Sequence, residues 1–340
     1  MKCYYAPETD AHDPQFRLTL GRVAQNAESP ERAALLLSAL ERLGLAVEAP
    51  PAAPRAALEA VHSAEFLDFL EHGWAEWRKL PASGEEIVPH VFPDRRIATY
   101  PTSILARAGW HMGDTSAPIG QASWHATRRA ADCAIAAAEA ILSGQPAAYA
   151  LTRPPGHHTS REVAGGHCLM NVAAIAAEHL RGKHERVAIL DIDVHHGNGT
   201  QSIFYDRKDV LTVSIHAQTS NYYPYFTGYE HETGNGAGDG FNLNLPLART
   251  TTDDAWLDAI SKGLDRIAAF DPGALVVSLG LDAHENDPLD GMKVSTGGFR
   301  RAGALIAGAG HGTALIQEGG YLSDDLSGSR EAFLGGYLGK

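Results

Sequence analysis

Short apolar runs alternate with amphipathic segments along most of the chain. Runs of four to six almost wholly apolar residues predict buried strands at 147–151, 187–190, 210–215, 274–279 and 313–316, and residues 1–5 open like a first strand. Apolar residues at helical spacing predict helices at 30–44, with Ser29 as its cap, and at 126–142, 171–180, 253–270 and 298–307. Because strands this apolar are buried on both faces, the pattern predicts an α/β fold with a central parallel sheet and helices on both faces.

The length and composition favour one folded unit. With 340 residues, of which 44% are hydrophobic, the chain can build one large α/β domain or two smaller ones. No linker or internal repeat divides it, so we expect a single domain over residues 1–340. Two long stretches, 80–124 and 217–242, lack clear periodicity. Because long loops in compact domains are usually functional, we expect both to shape the entrance to a site.

Charge and cysteine usage narrow the partners and the compartment. The formal net charge of −13 argues against nucleic acid as a partner. We expect no membrane span, because no apolar run approaches about 18 residues, and no signal peptide at residues 1–5. Cys3, Cys133 and Cys168 are far apart and odd in number, which favours a reducing cytoplasm over a disulfide framework.

The most informative segment follows the predicted strand at 187–190. It reads Asp-Ile-Asp-Val-His-His-Gly-Asn-Gly over residues 191–199. If the chain stays extended, alternation places Asp191, Asp193 and His195 on one side and His196 on the other. Carboxylate oxygen and imidazole nitrogen together suit a divalent transition metal, above all zinc. The segment therefore predicts a metal site at the end of a buried strand.

Other predicted strands also end in chemically active residues. In an open parallel sheet the carboxyl ends of the strands form the ligand site, so we expect these segments to converge on a metal-dependent active site. They are Arg-Pro-Pro-Gly-His-His at 153–158, His216, the segment 280–288 that contains Asp282, His284 and Asp287, and Glu-Gly-Gly-Tyr at 318–321. On their own, we expect His216 to be a packed imidazole and His284 and Asp287 to be structural.

Four motifs in this order resemble the histone deacetylase superfamily, which includes the bacterial acetylpolyamine amidohydrolases. They are Arg-Pro-Pro-Gly-His-His (153–158), Asp-x-Asp-x-His-His-Gly-Asn-Gly (191–199), Ser-Leu-Gly-x-Asp-Ala-His (278–284) and Glu-Gly-Gly-Tyr (318–321). The resemblance runs from about Val61 to Tyr321 and implies the arginase–deacetylase fold. Residues 92–102 resemble the long loop of the acetylpolyamine amidohydrolase branch, which implies a homodimer and a narrowed entrance.

The resemblance also implies a role for each motif residue. Asp193, His195 and Asp282 are the implied zinc ligands, with a fourth position left for water. The implied catalytic groups are His158 as general base and His157 as its electrostatic or general-acid partner. Asp191 and Asn198 are the groups that orient these two imidazoles, and Tyr321 is the donor to the oxyanion.

Substrate and potassium positions follow from the same resemblance. Gly166, His167 and Tyr223 line the implied tunnel, and Asp114 supplies one acidic group for a distal ammonium, whereas Leu105 occupies the place of the other. A structural potassium ion is implied at Asp191, Asp193, His195, Ser214 and Ile215.

These observations predict a zinc-dependent amidohydrolase that removes acetyl or similar short acyl groups from acetylated polyamines or small acetylated diamines. The alternatives are a protein acetyl-lysine deacetylase and a non-catalytic module that binds acetylated amines. A two-metal ureohydrolase of the same fold would need a second Asp-x-Asp, where this chain has Asp282-Ala283-His284. Iron(II) or cobalt(II) fits the same ligands as zinc.

Overall fold

The predicted apolar runs form the centre of one large parallel sheet. The computed structural model describes residues 1–340. Eight strands lie in the order β4-β1-β5-β10-β9-β6-β7-β8, all parallel, and β2 and β3 form a separate antiparallel hairpin. The strands are β1 (Lys2–Tyr4), β2 (Phe16–Thr19), β3 (Arg22–Gln25), β4 (Val47–Glu48), β5 (Ala147–Ala150), β6 (Val187–Asp191), β7 (Val210–Ala217), β8 (Asn242–Leu247), β9 (Ala274–Leu279) and β10 (Thr313–Gln317).

Helices cover both faces of the sheet and divide the core into two apolar clusters. Helices α5 and α6 pack with Ile189 and Val276 on one face, and α1, α8, α9 and α10 pack with Ala188 and Leu190 on the other. The helices are α1 (Glu31–Arg42), α2 (Arg55–Glu59), α3 (Ala64–Trp77), α4 (Ile104–His111), α5 (Ser123–Leu142), α6 (Val172–Arg181), α7 (Asn198–Phe204), α8 (Asp253–Phe270), α9 (Thr296–Gly308) and α10 (Leu326–Tyr337). The expected single-domain α/β fold is confirmed.

The structure corrects several sequence-based elements and adds helices α2, α3, α4, α7 and α10 and strands β2, β3, β4 and β8, which the sequence pattern did not predict. Helix α1 begins at Glu31, and the Ser29 hydroxyl makes no capping hydrogen bond; the Ser29 carbonyl accepts one from Arg153 instead. Strand β6 ends at Asp191, so the residues after it lie in a loop. The stretch 80–124 is not wholly irregular, because it contains α4 and the first residues of α5.

None of the ten helices combines the length and the apolar character that crossing a bilayer requires.

Candidate active site

The chemically active segments meet at one edge of the sheet. They follow β5, β10, β9, β6 and β7, which are five consecutive neighbours in the strand order. Because all five strands are parallel, their carboxyl ends lie at the same edge. The fold therefore brings these strand ends together, as expected from the sequence.

Asp193, His195 and Asp282 bring two carboxylates and one imidazole to a single point. All three are buried, and their possible ligand atoms lie within 4.8 Å of one another. Nδ1 of His195 lies 3.1 Å from Oδ1 of Asp193 and 3.1 Å from Oδ2 of Asp282. Buried carboxylates need a counter-charge, and two oxygens with one nitrogen suit a catalytic zinc that keeps a fourth position open. This donor set fits one divalent ion.

Main-chain groups hold the carboxylates in place. The Gly319 N–H donates to Oδ2 of Asp193 at 2.8 Å, and the Val194 N–H donates to Oδ1 of Asp282 at 2.9 Å. A Cβ at Gly319 would lie 2.2 Å from Oδ2 of Asp282, so this approach requires glycine. Although burial opposes it, hydrogen bonds with the two carboxylates raise the pKa of His195 to about 9, as expected where the surroundings favour a cation.

Two adjacent imidazoles, His157 and His158, have different partners. His157 Nδ1 lies 2.9 Å from Oδ2 of Asp191, and His158 Nδ1 lies 2.7 Å from Oδ1 of Asn198. Since both acceptors are oxygens, each imidazole donates through Nδ1, and Nε2 of His158, which lines the cavity, retains its lone pair.

The partners also separate the protonation of the two imidazoles. Burial opposes charge on His157, but the carboxylates of Asp193 and Asp191 outweigh it and raise its pKa well above the usual value. Burial and the neighbouring His157 and His195 lower the pKa of His158 well below the usual value. The pair therefore combines a cationic imidazole with a neutral one that can accept a proton.

Tyr321 lines the cavity formed by these imidazoles, and its position depends on contacts that no sequence motif indicated. Its main-chain N–H donates to Oδ2 of Asp287 at 2.9 Å. The guanidinium of Arg32 lies 4.8 Å from the Tyr321 ring centroid and donates to the carbonyls of Gly320 and Glu318. Thus Asp287 has a structural contact, as expected, but one that fixes the Tyr321 backbone.

Arg32 belongs to a buried ionic cluster that the sequence patterns did not reveal. Glu28 accepts hydrogen bonds from Arg32 and Arg153 at 2.8 Å each. The sequence contains no signal for this cluster, because Glu28 and Arg32 lie in a polar segment and Arg153 is 125 residues away from Glu28. The side chain of Glu318 accepts from the main-chain N–H of Gly156, and burial raises its pKa to about 8.

A cavity of about 260 Å³ leads to the metal-ligand cluster. Among the expected substrate positions, Gly166, His167 and Tyr223 line it, whereas Asp114 does not. Asp114 instead accepts hydrogen bonds from the Tyr223 hydroxyl at 2.7 Å and from the N–H of Gly166 at 2.9 Å. Gly166 has a φ of +54°, and a Cβ there would lie 2.3 Å from the His158 ring.

Thirteen side chains or backbone segments line this cavity. They are Arg17, Leu18, Thr19, Ser116, His158, Gly166, His167, His195, Tyr222, Tyr223, Tyr225, Leu289 and Tyr321. Both long loops contribute, through Ser116 from 80–124 and three tyrosines from 217–242. Arg17, on strand β2, is a lining residue that sequence reasoning missed, because nothing in the sequence places that hairpin beside the site.

The residues expected to bind potassium are only partly together. Sheet pairing places Asp191 beside Ser214, and both line a buried polar cavity of about 10 Å³, close to the volume one water needs. Asp193, His195 and Ile215 do not line that cavity.

The remaining histidines have structural partners. His196 bonds with Thr227 and Gln201 and is not part of the metal-ligand cluster. His216 bonds with Ser214 and the Gly228 carbonyl, and His284 bonds with Thr296.

The family model of the histone deacetylase domain matches residues 26–337. The chain belongs to the histone deacetylase family. Among curated members of this family, the chain is 42% identical over 338 residues to the acetylpolyamine amidohydrolase of Burkholderia pseudomallei, covering 99% of this chain and 98% of that one. It is 38% identical to the acetylpolyamine amidohydrolase of Mycoplana ramosa, covering 94% and 95%. The expected placement in the acetylpolyamine amidohydrolase branch is confirmed.

Solved structures of this family agree with the fold. The crystal structure of the Burkholderia pseudomallei acetylpolyamine aminohydrolase gives a TM-score of 0.96 at 42% identity over 99% of this chain and 98% of that chain. The HDA15 HD domain gives 0.83 at 27% identity, covering 100% and 91%. Because the relatives in this branch are named as amidohydrolases, the expectation that this histone deacetylase domain is a hydrolytic enzyme is confirmed.

Proposed function

We propose that this protein is a zinc-dependent amidohydrolase that removes acetyl groups from small acetylated primary amines. The observation that carries the proposal is the convergence of Asp193, His195 and Asp282 beside the free Nε2 of His158. Acetylated polyamines and diamines, such as acetylputrescine, are the first candidates, because relatives at 38–42% identity are named acetylpolyamine amidohydrolases.

The chain's own residues supply the proton transfers. Nε2 of His158 accepts a proton from the attacking water while the water oxygen bonds to the acetyl carbon. The charged His157 stabilises the developing negative charge, and the Tyr321 hydroxyl donates to the oxyanion of the tetrahedral intermediate. His158 then returns the proton to the leaving nitrogen, the C–N bond breaks, and acetate and the free amine leave. Zinc, when bound, would polarise the acetyl carbonyl and lower the pKa of water.

The proposed metal is zinc, because the three clustered ligands are two carboxylates and one imidazole. The buried polar pocket at Asp191 and Ser214 supports the further proposal of a structural potassium ion.

We further propose that the chain forms a homodimer through the 80–124 loop and works in the cytoplasm.

The test measures acetate release from acetylputrescine, from neutral N-butylacetamide and from an acetyl-lysine peptide. We expect a small amide to be hydrolysed with a kcat/KM at least about tenfold above that of the peptide, since the cavity is small. A chelator should abolish activity and added zinc should restore it. Chelator-insensitive turnover would contradict the metal assignment, and binding without acetate release would indicate a non-catalytic module. A tenfold preference for the peptide would favour protein deacetylation.

A further inference from the structure

Arg330 lies in the middle of the buried face of helix α10. Leu326 and Leu334 lie one turn before it and one turn after it, and both are buried. The side chain of Arg330 is fully buried, and its guanidinium lies 4.2 Å from the ring centroid of Tyr149 on β5. Tyr149 pairs in turn with Cys3 on β1, and both belong to the apolar cluster under α10. The fold therefore places a cationic side chain against an apolar region of the sheet.

No protein group balances this charge. All three guanidinium nitrogens of Arg330 are buried and have no hydrogen-bond partner. The titratable side chains close to it are Tyr149 and Cys3, and burial raises the pKa of both, so both are neutral at pH 7. Because arginine keeps its proton in proteins, the site holds a full positive charge without a counter-charge.

The Tyr149 ring compensates only part of this charge. An aromatic face stabilises a cation, but by less than the hydration that full burial removes. The Tyr149 hydroxyl does not help, because it donates to Oε1 of Gln317 at 2.8 Å. Buried N–H groups are costly unless something accepts hydrogen bonds from them, so the guanidinium needs an acceptor from outside the chain.

The groups at this site favour an anion as that acceptor. The hydroxyl of Ser329, the neighbouring residue on α10, is also buried without a hydrogen-bond partner. A guanidinium can only donate hydrogen bonds, and a hydroxyl can donate as well, so Arg330 and Ser329 together favour an acceptor that carries negative charge. Water would accept hydrogen bonds but would leave the charge unbalanced.

The tight packing of α10 limits the size of the anion. A Cβ at Gly303 on α9 would lie 2.0 Å from the carbonyl oxygen of Phe333, so the backbones of α9 and α10 are in contact. Towards α1, the hydroxyls of Ser38 and Ser327 share a hydrogen bond of 2.8 Å. Arg330 lines neither of the two cavities described above. A monoatomic ion such as chloride suits a site this enclosed, whereas a carboxylate or phosphate would have to separate the helices.

We propose that a chloride ion binds Arg330 between helix α10 and the sheet and is a structural ion of this protein. The ion takes no part in the proposed deacetylation. Its binding free energy adds to the stability of the folded chain, because the site does not exist in the unfolded chain.

Thermal unfolding of the zinc-loaded protein in mixtures of sodium chloride and sodium gluconate at constant ionic strength tests this proposal. Gluconate is too large for the site, so Tm should rise by about 2 °C for each tenfold increase in chloride above its Kd. Bromide should act like chloride. Arg330→Met should lose this dependence and be at least as stable as the parent in gluconate alone, because an apolar side chain needs no counter-ion.

Arg42→Met is the matched control, because Arg42 on the neighbouring helix α1 is exposed and already paired with Glu331. It should keep the chloride dependence of the parent. The metal-ligand residues are the same in all three proteins, so a halide that binds there changes their Tm values equally.

Crystals soaked in bromide give a second measurement that does not depend on a variant. We expect an anomalous peak at hydrogen-bond distance from the Arg330 guanidinium. Water at that position, or a Tm of the parent that does not respond to chloride, overturns the proposal. A bromide peak without chloride dependence would mean an adventitious ion only, and equal dependence in Arg330→Met and the parent would place the effect elsewhere; either result also overturns it.

Discussion

The two neighbouring histidines differ in function because their hydrogen-bond partners differ in charge. His157 and His158 share burial, yet a carboxylate faces the first and a carboxamide faces the second. The carboxylate of Asp191 favours an imidazolium, whereas the amide of Asn198 orients its partner without adding charge. The division between a cation and a proton acceptor is therefore encoded by Asp191 and Asn198.

At Tyr321, we expect replacement by phenylalanine to reduce kcat about 10²–10³-fold, because one oxyanion donor is lost. Metal content should not change, since Tyr321 is not among the three clustered ligand side chains. Steady-state kinetics and metal analysis of the purified variant provide the measurement. Unchanged turnover would show that the phenol is not the donor.

Site residues could be predicted from the sequence where their positions depend on neighbouring residues, and not where they depend on contacts between distant segments. The apolar run followed by Asp-x-Asp-x-His was enough to predict that Asp193 and His195 share one cluster, although strand alternation is not the reason, because β6 ends at Asp191. Asp191 lines the small polar cavity together with His196. Arg17 could not be predicted, because its position depends on where an entire hairpin packs. The occupation of Asp114 by Tyr223 and Gly166 was also hidden, since it joins residues far apart in the sequence.

Helix α1 is held against the loop that carries Tyr321 by buried hydrogen bonds. Arg32 on α1 donates to the carbonyls of Gly320 and Glu318 and pairs with Glu28, and it is fully buried. A buried charged group with several partners holds two elements in one relative position.

We expect Arg32→Met to reduce the free energy of unfolding by about 3–5 kcal/mol, because two carbonyls and a buried carboxylate lose their donor. Arg42→Met on the same helix is the control: its ion pair with Glu331 is exposed, so the cost should stay below about 1 kcal/mol. Denaturant unfolding of both variants measures the difference. Equal losses would mean that the buried contacts add nothing.

Elements were predictable where burial dominates their composition. The central strands are almost wholly apolar runs, and their positions and parallel arrangement followed from that. The β2–β3 hairpin and helix α4 were missed, because they are short and half-exposed and depend on contacts with distant segments.

For the whole molecule, acid should weaken the fold through buried neutral histidines. His62 is fully buried, accepts a hydrogen bond from the N–H of Asn171, and has a pKa lowered to about 4 by burial. Since the unfolded chain binds the proton near pH 6.5 and the folded chain only near pH 4, stability must fall as pH decreases through this window.

We expect each pH unit in that window to cost up to about 1.4 kcal/mol from His62 alone. His62→Gln should give a shallower fall of Tm between pH 6.5 and 4, whereas His72→Gln, at an exposed histidine of α3, should leave the slope as it is. Thermal unfolding at several pH values tests this. Identical slopes for His62→Gln and the parent would contradict it.

Exposed apolar side chains support the proposed homodimer. Apolar side chains of the 80–124 loop are exposed, including Val91, Phe92 and Ile97, the last at 85%. Because such patches usually mark interfaces, light scattering should find a dimer, and Ile97→Glu should convert it to a monomer. Val23→Glu, at an exposed site on the β2–β3 hairpin, should leave it dimeric. A monomeric parent would exclude the interface.

The ligand cluster joins the loops that follow two neighbouring central strands, β6 and β9, so an ion bound there would cross-link these loops at the carboxyl ends of the strands. Ligands this far apart in sequence come together only in the folded chain, and binding free energy is then folding free energy. The resistance of the protein to heat should consequently rise with the logarithm of free zinc concentration. A cell short of the metal would lose folded protein as well as activity.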